Sequence, residues 1–147
     1  MTAVLSRVSY LRFEHEVEEG GLDLSAPEHS LDAELRLEYS DGSTQFVSWT
    51  SAPVQYCIGV KEGTWFDPGF TTEVDVSSHP LWLELVGHPI VLEWRGSEHQ
   101  VLEVRGEKES VYLASRDGPY WCGDCVRVSR AMPELPSNTS LEQTRGR

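Results

Sequence analysis

Basic side chains are nearly missing from half of this chain. Between residues 14 and 84 only Arg36 and Lys61 stand against 15 carboxylates, a local net charge of -13. Residues 1–13 and 85–147 hold 9 acids and 10 bases, so the total of -12 belongs to the first half. A field of that sign repels nucleic-acid phosphates and anionic lipid, which argues against direct binding to either, and it speeds encounter with basic partners.

Cysteine is also scarce. Three residues, an odd number, exclude a disulfide framework and lead us to expect reduced thiols. No apolar run approaches the roughly 20 residues needed to span a bilayer. Residues 1–10 lack the basic patch, apolar stretch and small-residue cleavage site of an export signal, so the expected location is cytoplasmic and the Asn138-Thr139-Ser140 sequon goes unused. Gly-x-Ser-x-Gly, His-Glu-x-x-His and both phosphate-cradling glycine patterns are absent. No catalytic constellation and no cofactor are therefore expected.

What is present is β patterning. In residues 31–39, Leu31, Ala33, Leu35, Leu37 and Tyr39 alternate with Asp32, Glu34, Arg36 and Glu38, which predicts a strand with one buried face. Ser40-Asp41-Gly42-Ser43 supplies turn residues that tolerate positive φ, and the β-rich run 45–50 completes a hairpin. Further strands are predicted over 4–13, 54–60, 74–76, 90–95, 99–105, 110–115 and 120–129. Residues 14–30 read as a charged loop. Ser77-Ser78 before His79-Pro80, with Gly87 beyond, predicts one short helix between two β halves. The expected fold is mostly β: antiparallel sheets from two similar halves, as a sandwich or partly open barrel. One domain is expected over 1–130, with a disordered polar tail over 131–147.

The two halves echo one another. At a shift of 65 residues, Leu37-Glu38 falls on Leu102-Glu103, Phe46 on Val111, Tyr56 on Trp121 and Cys57 on Cys122. This predicts an internal duplication over about 31–60 and 96–128.

Trp121-Cys122-Gly123-Asp124-Cys125 resembles the active site of thioredoxin-type oxidoreductases over five residues. In that family a helix N-terminus lowers the pKa of the first thiol. Here the β-forming Val126-Arg127-Val128-Ser129 follows instead, so two ordinary cysteines in a turn or strand are expected. Zinc would need Cys57, Cys122 and Cys125 with His79, His88 or His99, and nothing in the spacing demands such a site. No metal is expected.

Residues 61–72 concentrate Trp65, Phe66 and Phe70 among Glu62, Asp67, Glu73 and Asp75. Such rings either close one end of the core or anchor an interface. The function expected is a non-catalytic acidic protein-binding module of the immunity or antitoxin type, meeting a basic, nuclease-like toxin. Asp32, Glu34, Glu38, Asp41, Glu62 and Asp67 would supply charge, and Trp65 and Phe70 apolar anchorage. A homodimer through an exposed sheet edge is a further expectation. The alternative is a small-ligand binder with Trp49, Trp65, Trp82 and Trp94 around a cavity.

Overall fold

The computed structural model describes residues 3–14, 23–51, 57–96, 99–117, 120–121 and 125–133. The strands are β1 (Ala3–Phe13), β2 (His29–Leu31), β3 (Glu34–Tyr39), β4 (Thr44–Thr50), β5 (Cys57–Lys61), β6 (Thr71–Asp75), β7 (Pro89–Arg95), β8 (Val101–Arg105), β9 (Ser110–Ala114), β10 (Arg116–Asp117), β11 (Tyr120–Trp121) and β12 (Val126–Ser129). A short helix, α1 (Pro80–Leu83), lies between β6 and β7. The fold is mostly β, as the alternation predicts.

All strands but β10 and β11 join one antiparallel sheet of ten, ordered β2-β12-β9-β8-β7-β1-β3-β4-β5, with β6 also on β1. The two halves are two meanders, β1-β3-β4-β5 and β7-β8-β9-β12, joined where Ala3 and Val4 pair with Ile90 and Pro89. The sheet bends so that β5 lies against β8 and β9, and Ile58 N–H donates to the His99 carbonyl at 2.9 Å. The ladder does not close into a barrel.

The resulting interior is one core. Leu5, Val8 and Tyr10 from β1, Leu35 and Leu37 from β3, and Val47 and Ile58 meet Leu102, Val104, Val111, Leu113, Val126 and Val128. Trp82 of α1 is fully buried among them. Truncating such a side chain to alanine typically costs about 3–5 kcal/mol.

The alternating run 31–39 makes two strands rather than one. Leu31 pairs with Val126 at the far edge of the sheet, whereas Glu34–Tyr39 pair with β1 and β4, and the chain turns a corner at Asp32-Ala33. Alternation fixes which side chains point inward but not which neighbour the backbone chooses. The helix also starts later than its serines imply. Its N-cap is His79, whose Nδ1 accepts from Leu81 N–H at 3.0 Å, and Ser77 instead bonds Val8 N–H on β1.

The symmetry of the halves is one of connectivity, not of a constant residue offset. Leu35 and Leu37 face the core as Leu102 and Val104 do, and Val47 as Leu113 does. Phe46 points to the outer face, while Val111, its partner at a shift of 65, is in the core. Five residues, Tyr39 to Ser43, separate the last paired residues of the first hairpin, against four, Gly106 to Glu109, in the second. That extra residue changes the offset inside the hairpin. Tyr56 and Cys122 lie outside the described residues, as does most of the tail, 134–147.

Candidate functional site

Glu34 sits on the outward face of β3, where alternation expects a solvated carboxylate. It is instead fully buried, because the chain leaving β5 folds back over it. Trp65 and Phe66 backbone N–H groups donate to the two oxygens of Glu34 at 2.9 and 3.0 Å. The carboxylate thus satisfies two amides of a loop that has no ladder partner of its own. Burial pushes the Glu34 carboxyl above its ordinary range, against the opposing pull of those two amides and of Lys61.

The aromatic side chains complete the clamp. Trp65 Nε1 donates to the Phe46 carbonyl at 3.0 Å, and Lys61 Nζ lies 4.4 Å from the centre of its ring. The ring covers Gly59 so closely that a Cβ there would stand 2.5 Å from Cη2. Phe66 meets Phe13 edge-on at 5.0 Å and lies 5.9 Å from Trp49. Trp65 and Phe66 therefore form a small apolar layer on the outer face of the first meander, not a plug in the central core.

Beyond this layer Asp67 accepts from Gly69 N–H at 2.9 Å and caps a single 3-10 turn, Pro68–Phe70. Phe70 stands at its end with 70% of its surface exposed, the most exposed large apolar side chain described. Glu62 and Asp67 are exposed on the same loop. A ring held outward by a fixed backbone has the geometry of an interface anchor, because little conformational entropy remains to be lost on binding.

The other expected site residues divide. Asp41 is exposed at the β3–β4 turn, where Ser43 hydroxyl and amide bonds hold its carboxyl below the usual range. Asp32 is half-buried at the corner after β2, and its carbonyl accepts from Trp49 Nε1. Glu38 is engaged with Arg7 and Arg36, which also hold Glu73, and Arg7 lies 3.2 Å from Asp75. Glu34 and Trp65, both expected at a partner surface, are instead structural parts of the clamp. Burial thus removes Glu34 from the displayed charge, two arginines offset part of that of Glu38, Glu73 and Asp75, and Glu28 pairs with Arg127 from the second half at 2.8 Å.

The four tryptophans do not enclose one space. Trp82 is in the core, where Nε1 donates to the Tyr10 hydroxyl at 2.8 Å, whereas Trp65 is on the outer face and Trp94 stacks on His99 at 4.0 Å beside the β7–β8 turn. Among the described residues no group of three or more His, Cys, Asp or Glu side chains is placed to hold a metal ion. Cys125 is disulfide-bonded, which corrects the expectation of three reduced thiols; an odd count requires only that one cysteine stay out of a disulfide, and that one is the buried Cys57. Cys122 lies outside the described residues. Among the described residues no helix is long and apolar enough to cross a membrane.

Phe13, Phe46 and Gly59 are the supporting residues that pattern reading passes over. Gly59 carried a signal, since glycine inside a strand often marks the close approach of another group. No protein-family model matches this chain, and no significant similarity links it to a curated protein or to a solved structure.

Proposed function

We propose that this chain is a non-catalytic protein-binding module that engages a basic partner through the loop carrying Glu62, Asp67 and Phe70. The observation that carries the reading is the exposure of Phe70 on a backbone immobilised by Glu34. Asp67 and Glu62 supply local negative charge, and Asp41 adds a further exposed carboxylate at the β3–β4 turn. An inhibitor of the immunity or antitoxin type, seated on a cationic toxin surface, is the concrete form of this proposal. Charge and geometry select a class of partner here rather than a fold relationship.

The test is a paired low-salt capture with wild-type and Phe70→Ala protein as baits. A basic protein retained by the wild type, lost by the variant and released as ionic strength rises supports the reading. Retention of the same proteins by both baits would show that the loop is not the binding surface.

A further inference from the structure

We propose that His29 and His79 form an acid-sensitive latch that holds the segment 23–31, including the edge strand β2, against the core and releases it when His29 takes up a proton. Leu81 N–H donates to Nδ1 of His79, so that nitrogen is unprotonated, and Nε2–H donates to the Leu24 carbonyl at 2.7 Å. One neutral imidazole therefore caps α1 with one nitrogen and ties down the turn before β2 with the other.

His29 is 1% exposed and sits edge-on to His79 with ring centres 4.4 Å apart. Trp82 Nε1–H donates to the Tyr10 oxygen, and Tyr10 lies 2.7 Å from His29 Nδ1. Counting donors assigns the tautomer. With Tyr10 O–H donating to Nδ1, only the Nε2–H of His29 lacks a partner; the opposite arrangement strands the Tyr10 proton and an Nε2 lone pair as well. An incoming proton must take Nδ1, displacing the Tyr10 hydroxyl hydrogen into a buried space where it has no acceptor.

The Leu24 and Ala26 backbone and Asp23 favour a positive charge on His29, but burial and His79 outweigh them. Among the described residues the titratable groups facing His29 are Tyr10 on β1, His79 at the cap of α1 and Asp23 in the preceding turn. Of these only Asp23 favours the cation, and it is exposed and bonded to Ser25. Glu28, in the same segment, is committed to Arg127 of β12. Burial, followed by the neighbouring His79, accordingly holds the His29 imidazole below its ordinary 6.5. The charge-free form fits the closed segment, and the charged form fits only an open one.

β2 is suited to release because it is a three-residue edge strand bonded, among the described residues, only to β12. An open segment titrating near the ordinary histidine value, against a closed one that excludes the proton, gives an opening constant about tenfold larger at about pH 5.5 than at neutral pH. The test is amide hydrogen exchange, corrected for intrinsic rates, on the full chain at both pH values. The expected result is about tenfold faster exchange in residues 29–31 with β3 and β4 unchanged, an effect that His29→Gln abolishes because an amide oxygen still accepts from Tyr10 and cannot be protonated. Exchange in 29–31 that ignores pH, or that accelerates together with β3 and β4, overturns the latch. Should His29→Gln fail to fold, side-chain nitrogen shifts of the wild type decide: protonation of His29 at or above the ordinary value without loss of β2 protection overturns it, and protonation coincident with that loss supports it.

Discussion

The outer faces of the two meanders show the same backbone path burying a glutamate in two opposite ways. On β3, Glu34 is covered by a loop and satisfied by two backbone amides. On β8, Glu103 is nearly as buried, but it accepts from Arg95 Nε at 2.5 Å and from the Ser110 hydroxyl. Glu93, directly opposite Glu103 in the ladder, is held by Arg95 and Arg105 at 2.9 and 2.6 Å. One solution uses the carboxylate to immobilise a connection; the other uses it to zip neighbouring strands. Only the first leaves a loop presented to solvent, which is why the candidate site lies on the acidic half.

The largest expected effect separates these two solutions. Glu34→Ala strands two loop amides beneath Trp65 and should lower stability by about 3 kcal/mol in urea unfolding. Glu103→Gln keeps one acceptor oxygen for Arg95 and presents its amide NH2 to the Ser110 hydroxyl, which can accept, and should lose about 1–2 kcal/mol. Equal losses would mean that the loop does not depend on its clamp.

Glycines give the next contrast. A Cβ on Gly59 meets the Trp65 ring, fixed by its bond to Phe46, at 2.5 Å, and Gly59→Ala should cost about 2 kcal/mol by overpacking. Gly106 in the second half is equally close to Leu85 Cδ2, at 2.4 Å, but that is the end of a flexible side chain. Gly106→Ala should cost about 1 kcal/mol, and thermal unfolding of the pair ranks them.

The two glutamates should also respond to pH with opposite signs. The folded-state pKa of Glu34 is raised by burial, so its contribution is complete below the ordinary value of 4.5 and is lost as pH rises through the folded value. For Glu103, burial raises the pKa but Ser110 and Arg95 together outweigh it, and the net shift is downward. Its contribution is present above 4.5 and is lost as pH falls through the folded value. Glu34→Gln should therefore remove a decline of stability above 4.5, and Glu103→Gln a decline below it, as read from urea midpoints across that range. Shifts of the same sign for both variants would refute the contrast.

Strand positions and the antiparallel meanders were legible because alternation and turn chemistry report local backbone state. The corner at Asp32-Ala33 was not, since Leu31 and Leu35 share one alternating pattern while pairing in opposite halves of the sheet. The site was half legible. Three aromatics in one connection marked the loop, but polarity at position 34 was read as solvation, and a buried acceptor for backbone amides is indistinguishable from it in a strand pattern. Charge counting likewise could not see that Arg7, far away in sequence, lies beside Glu38, Glu73 and Asp75.

The smallest expected effect on stability is the most telling for function. Phe70 lies beyond the clamp, and Phe70→Ala should change unfolding free energy by no more than about 0.5 kcal/mol. Trp65→Ala removes a ring that packs on Gly59 and bonds Phe46, so it should destabilise the loop and weaken binding together. If Phe70 anchors a partner, its loss weakens binding with the fold intact, and the two rings separate presentation from contact. A Phe70→Ala protein that unfolds as readily as Trp65→Ala would make Phe70 part of the apolar layer, and the exposed anchor on which the proposed function rests would not exist.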